Sequence, residues 1–205
     1  FLNVVIYRLN PALQLKGGVF GRSMCPKCKT QLKWYDLIPL VSFALLRRHC
    51  RYCRKKISWQ YPIVEILSGL IWVGVFYKFG VSLANIYYLF ILSLFLVIAV
   101  YDFKWKIIPD RIVYSAIIVS LAFNLFNALT PPGLPLSGEE IFSLPDKGGL
   151  GWVLVTASAA FLFFFLLFYF SKGRAMGFGD AKLGFLIGLF LGPLSAAAAF
   201  TLAFI

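Results

Sequence analysis

The sequence predicts an all-α polytopic membrane protein, with about six or more transmembrane helices and a small cytoplasmic four-cysteine zinc-binding domain. Three observations predict it. Of the 205 residues 60% are hydrophobic and only 14% charged, more apolar material than a soluble domain of this size buries. The apolar residues gather in runs of about twenty, the length that crosses a bilayer as a helix. The charges lie between those runs, and they are distributed unevenly.

Taken in order, residues 1–9 read as the end of a first transmembrane helix, too short to cross alone. Residues 10–60 turn polar and basic, and Pro11, Gly17-Gly18, Pro26 and Pro39 interrupt any long helix. This stretch is expected to fold outside the lipid. Residues 61–205 are expected to form the helical bundle, with spans at 61–79, 83–101, 112–129 and 151–170. Glu65 is the one acid in the first of these. The 104–111 connection is basic, and 130–149, with four of the ten prolines and the acids Glu139, Glu140 and Asp146, reads as an irregular loop. The last segment, 181–205, holds Gly192-Pro193 and reads as two helices or one sharply broken helix.

A zigzag through these spans places eighteen of the twenty Lys and Arg on the side of residues 10–60, leaving Lys78 and Lys147 opposite. Basic loops stay in the cytoplasm, so that side is cytoplasmic. Asp102, Asp110 and Asp180 then share one membrane boundary. The net charge of +12 is read as topology, so membrane lipid is the expected partner and no nucleic acid is expected.

Cys25-Pro-Lys-Cys28 and Cys50-Arg-Tyr-Cys53 form two C-x-x-C knuckles, and the chain has no other cysteine. Thiols on the cytoplasmic side stay reduced, and four thiolates match the tetrahedral preference of zinc; redox pairs or unconnected thiols are the alternatives. A closed four-thiolate shell has no open position, so such a metal holds a fold and does not activate water. His49 adjoins Cys50 and reads as a surface residue.

The remaining chemistry lies in the acids. Asp102 and Asp180 each end a long apolar run, where a charge is costly and is usually kept for a purpose. Two carboxylates within reach of each other share a proton near neutral pH. One then takes a proton from water as it attacks a peptide carbonyl, and the other protonates the carbonyl oxygen. Gly177 and Gly179 would let the backbone before Asp180 take unusual conformations or accept a close neighbour. Asp180 would equally serve as cap of a helix beginning at residue 181, and Asp110 as cap of the span that follows it. Glu65 should face other protein, neutral or paired, and Asp36 is a local acid that could guide a basic peptide. A transporter or channel with a proton relay is the rival reading, and it requires acids spread through the bilayer thickness.

Read together, these motifs resemble the type IV prepilin peptidases, the GxGD aspartic proteases of the bacterial inner membrane. The resemblance runs through Phe1-Leu-Asn-Val-Val-Ile-Tyr-Arg-Leu9, both cysteine knuckles, Tyr61-Pro-Ile-Val-Glu65, Asp102 with Ile108-Pro109-Asp110, and Gly177-Phe178-Gly179-Asp180. It implies cleavage of the basic leader from prepilins and type II secretion pseudopilins, with Asp102 and Asp180 as the catalytic pair. Gly177, Gly179, Glu65 and Asp110 would support the site, and Cys25, Cys28, Cys50 and Cys53 would hold structural zinc. It also implies methylation of the new N-terminus with S-adenosylmethionine, although no glycine-rich nucleotide fingerprint marks a donor pocket. Asn10 stands where the family usually has proline.

Overall fold

The computed structural model describes residues 2–8, 23–25, 27–80, 82, 84–129, 149–174 and 176–204. Residues 10–22 of the expected metal domain and 130–148 of the expected Pro-rich loop lie outside the described residues. The chain separates into two compact units, Phe1–Gly74 and Val75–Ile205.

In the first unit, the short helix α1 (Leu2–Arg8) lies beside the start of the long helix α3 (Gln60–Phe79). The Asn3 side-chain amide donates to the Tyr61 carbonyl at 3.2 Å, and the Tyr7 and Tyr61 rings stack at 5.6 Å. Between these helices lie the cysteine knuckles, a 3-10 turn at Trp34–Leu37 and the one-turn helix α2 (Val41–Leu45). Asp36 ties this unit together. Its carboxylate accepts from the Lys33 backbone N–H, from Arg51 Nε at 2.9 Å and from the Tyr52 hydroxyl at 3.2 Å. It is therefore engaged within its own fold, which corrects its reading as a guide for a basic peptide.

The second unit comprises α4 (Ala84–Trp105), α5 (Asp110–Leu129), α6 (Gly149–Ser171) and α7 (Phe178–Phe204). Among the described residues five helices, α3 to α7, are long and apolar enough to cross a membrane. Helix α7 is a single element broken at Gly192 (φ 71°), just before Pro193. Hydropathy misjudged two helix ends. Helix α4 continues through Asp102 to Trp105, and α7 begins at Phe178, because backbone hydrogen bonding, unlike apolar character, does not stop at a carboxylate. Helix α4 ends where Lys106 turns left-handed (φ 54°), with its N–H on the Asp102 carbonyl at 2.8 Å.

Helix α5 contacts α4, α6 and α7. Tyr87 of α4 stacks on Phe123 of α5 at 3.8 Å, and its hydroxyl meets the buried Ser120 hydroxyl at 3.3 Å. The Asn124 amide donates across to the Leu189 carbonyl of α7 at 3.2 Å. Between helices in lipid, such bonds and close packing replace the hydrophobic drive that soluble bundles have. Packing is closest between α6 and α7. A Cβ built at Gly188 would lie 2.6 Å from the Ala157 Cα, and one at Gly184 would lie 2.5 Å from the Phe164 ring. Gly184 and Gly188 thus form a G-x-x-x-G face on which α6 rests. Gly188→Ala should destabilise the bundle by about 1–3 kcal/mol, the usual cost of overpacking. Gly69→Ala, where nothing lies within 4 Å, should be neutral or stabilising; thermal unfolding of both variants in detergent checks this.

Candidate active site

The four cysteines converge although the two knuckles are far apart in sequence. Their sulfur atoms all lie within 4.8 Å of one another. A tetrahedral zinc site, with Zn–S of about 2.3 Å, needs sulfurs roughly 3.8 Å apart, so the donor set fits the metal. The knuckles are also built alike. Cys25 N–H bonds the Thr30 carbonyl and Lys29 N–H the Cys25 carbonyl; Cys50 N–H bonds the Lys55 carbonyl and Arg54 N–H the Cys50 carbonyl, all at 2.9–3.0 Å. Lys29 (φ 56°) and Arg54 (φ 53°) take the same left-handed turn. The bridges Met24↔Gln31 and His49↔Lys56 close both knuckles at matching positions. Without metal, burial pushes the Cys25 thiol up to about 11, while hydrogen bonds from Thr30 push the Cys28 thiol down to about 6. His49 serves as a bridge residue of its knuckle.

The second unit carries the acids. One cleft of about 370 Å³ is lined by Asp102, Lys106, Ile107, Ile108, Asp110, Gly177, Phe178, Gly179, Asp180 and Lys182. Asp102 stands on the last turn of α4, Asp110 opens α5, and Asp180 stands on the first turn of α7. The alternation of the helices thus brings two segments from opposite ends of the unit to the same cleft. The Asp180 Oδ2 atom accepts the Gly177 N–H at 2.9 Å, while the Asp180 N–H bonds the Gly177 carbonyl at 3.2 Å. This is the third-position half of a capping box. It corrects the expectation that Asp180 is the first cap, because α7 starts three residues earlier. Its carboxylate is oriented by its own helix and still lines the cleft.

Of the two uses expected for the glycines, Gly179 shows the second, a close neighbour. Neither it nor Gly177 takes a left-handed backbone, but a Cβ at Gly179 would meet the Ile108 Cβ at 3.1 Å. The bare glycine lets the start of α7 lie against the α4–α5 connection. This close approach links the Asp102 and Asp180 segments.

Asp110 also differs from its expected capping role. The Pro109 carbonyl receives the first N–H groups of α5, from Ile112 and Val113, so Asp110 is already inside the helix. Its Oδ1 atom instead accepts Lys182 Nζ at 2.7 Å. Lys182 is mostly buried, and its ammonium also lies over the Tyr114 and Phe178 rings at 5.0 and 4.8 Å. The pair ties the start of α5 to the start of α7. Sequence reasoning passed over Lys182, though a lone cation inside an apolar span is itself a signal. Glu65 belongs to the first unit, where its Oε2 atom accepts the Leu40 backbone N–H at 3.0 Å.

Comparison with known proteins gives the same two-part division. Residues 1–79 match the bacterial peptidase A24 N-terminal domain, and residues 89–205 match the type IV leader peptidase family. A prepilin leader peptidase/N-methyltransferase of Vibrio cholerae is 32% identical over 202 residues, covering 94% of this chain and 72% of that protein. One from Klebsiella pneumoniae is 30% identical, covering 94% and 79%, and one from Bacillus subtilis is 32% identical, covering 87% and 64%. No solved structure matches the chain. The matched segment 89–205 contains every residue that lines the cleft, and the chain belongs to the type IV leader peptidase family.

Proposed function

We propose that the chain is a membrane aspartic endopeptidase that removes the basic leader from type IV prepilins and pseudopilins, and then methylates the new N-terminus. The observation that carries the reading is that Asp102 and Asp180, distant in sequence, line one cleft at one end of the helical unit. Two carboxylates sharing a proton supply both the base and the acid that amide hydrolysis requires. The ionised carboxylate takes a proton from water as the oxygen attacks the scissile carbonyl, and the protonated one gives its proton to the carbonyl oxygen. The Gly177 N–H holds Asp180 in one orientation, which reduces the reorganisation the step requires.

The cleft lies where α4 ends and α5 and α7 begin, at the ends of candidate spans. A substrate whose apolar helix lies in the bilayer and whose leader lies outside it would present its junction at this depth. The excess of Lys and Arg in the connecting loops supports a cytoplasmic position for this end of a multi-pass inner membrane protein. Zinc in the four-cysteine site would be structural. S-adenosylmethionine supplies the methyl group when bound; the described residues hold no glycine-rich cradle for it, and the hydrolysis is derived without it. Incubation of the protein with a prepilin, with and without S-adenosylmethionine, tests both activities by product mass. Leader loss in both samples and an added methyl only with the donor are expected, and an uncut prepilin would refute the reading.

Lys182 should be a positioning residue. Lys182→Met leaves Asp110 without its cation, and the loss of a charge-assisted hydrogen bond of about 1.5 kcal/mol should lower kcat roughly tenfold. KM should change little, and Lys182→Arg should restore most of the rate. Steady-state kinetics on a prepilin peptide read the split.

A further inference from the structure

We propose that residues 34–45, the 3-10 turn and α2 of the first unit, are sunk into the headgroup and acyl boundary of the membrane beside α3, with Glu65 as their anchor. Depth is the first argument. Glu65 stands five residues inside the span that begins at Gln60, about 7.5 Å along the helix. Its carboxylate holds the Leu40 backbone N–H at 3.0 Å, so the segment lies beside α3 at that level and not above it.

Surface chemistry is the second. Residues 37–46, Leu-Ile-Pro-Leu-Val-Ser-Phe-Ala-Leu-Leu, carry no charge and one hydroxyl, and ten residues are too few to cross. Trp34 is 77% exposed and Leu45 76%, with Leu37, Leu40 and Val41 also exposed. Helix α3 itself exposes Ile63, Ile66, Leu67 and Leu70 on either side of Glu65, apolar side chains that a span turns to lipid. Lys33 precedes the stretch and the exposed Arg47 follows it, cations of the kind that reach headgroups.

Backbone satisfaction is the third. A segment in lipid must bond its own N–H groups. Here Pro39 has none, Ser42 bonds the Ile38 carbonyl, Ala44 the Leu40 carbonyl and Leu46 the Ser42 carbonyl. The Leu40 N–H, on a residue turned left-handed (φ 58°) where α2 begins, is taken by Glu65. A carboxylate that would be expensive within a span thus has a stated use, and the inference depends on α3 spanning the membrane, not on the peptidase reading.

Site-directed spin labelling of the full zinc-loaded protein in phosphatidylethanolamine/phosphatidylglycerol nanodiscs tests it, since metal-bound thiols are shielded from the label. Leu37→Cys and Leu45→Cys should relax faster with oxygen than with a water-soluble nickel chelate, as Leu70→Cys on α3 should, and Lys55→Cys in the second knuckle should show the reverse. Glu65→Leu, which removes the acceptor, should shift both labels toward the nickel chelate. Labels at 37 and 45 that behave like Lys55→Cys would overturn the proposal in favour of a water-exposed surface. Labels shielded from both reagents would overturn it in favour of a protein partner.

Discussion

Asp102→Asn and Asp180→Asn should each abolish leader cleavage to within detection, a loss of roughly 10²–10⁴-fold or more, because on the proposed reading each removes one member of a general acid–base pair. The fold should survive both. Asp102 is exposed on the last turn of α4, and an Asn at 180 keeps an oxygen that can accept the Gly177 N–H. Unchanged circular dichroism and unchanged metal content would separate lost chemistry from lost structure. The double variant should be no worse than either single one, since residues that act as a unit are strongly non-additive. Asp110→Asn is the informative contrast. It lines the same cleft but is committed to Lys182, so its loss should resemble that of Lys182→Met and fall well short of the other two. A variant at 102 or 180 that still cuts at the normal rate would remove that residue from the pair.

The distribution of the acids also decides against the rival reading. A proton relay needs titratable groups through the thickness of the bilayer. Among the described residues of the second unit, Asp102, Asp110 and Asp180 all lie at one end, where α4 stops and α5 and α7 start.

What the sequence made legible was chemistry with fixed spacing. Two C-x-x-C motifs, a lone G-x-G-D and runs of twenty apolar residues are patterns of composition, and they pointed to the four cysteines that converge, the acids that share a cleft and the long apolar helices. What escaped was set by backbone geometry or by partners distant in the chain. The likeness of the two knuckles lies in turns at Lys29 and Arg54 and in bridges that no residue identity announces. The Asp110–Lys182 bond joins positions 72 residues apart. That Gly179 would admit a close neighbour was legible, but not that the neighbour would be Ile108, at 3.1 Å from a Cβ built there. Helix ends were misplaced by three or four residues at the two acids, because the apolar pattern stops where the charge begins while the hydrogen-bond ladder runs on. The G-x-x-x-G of Gly184 and Gly188 is legible as a motif, but which helix it meets is not.

Removing the metal should have the second large effect, and one of a different kind. Structural zinc held by four thiolates contributes about 10–16 kcal/mol to the folding of small metal domains, because the site does not exist until the chain closes around it. In the first unit the ligands sit in two short knuckles with no strand pairing beyond single bridges among the described residues, and the Asp36 bonds to Arg51 and Tyr52 reach only the second of them. Cys25→Ser combined with Cys50→Ser, which replaces the two buried thiols, should therefore lose one equivalent of zinc per chain by elemental analysis. The amides of Cys25, Lys29, Cys50 and Arg54, now bonded within the knuckles, should exchange freely with deuterium. Protection in α4 to α7 should persist, since their contacts with one another contain no cysteine. Far-ultraviolet circular dichroism should barely change, as the long helices dominate it. If zinc were retained in the double variant, or if protection collapsed equally in α4 to α7, the metal would not be the local clasp of the first unit that the two matched knuckles describe.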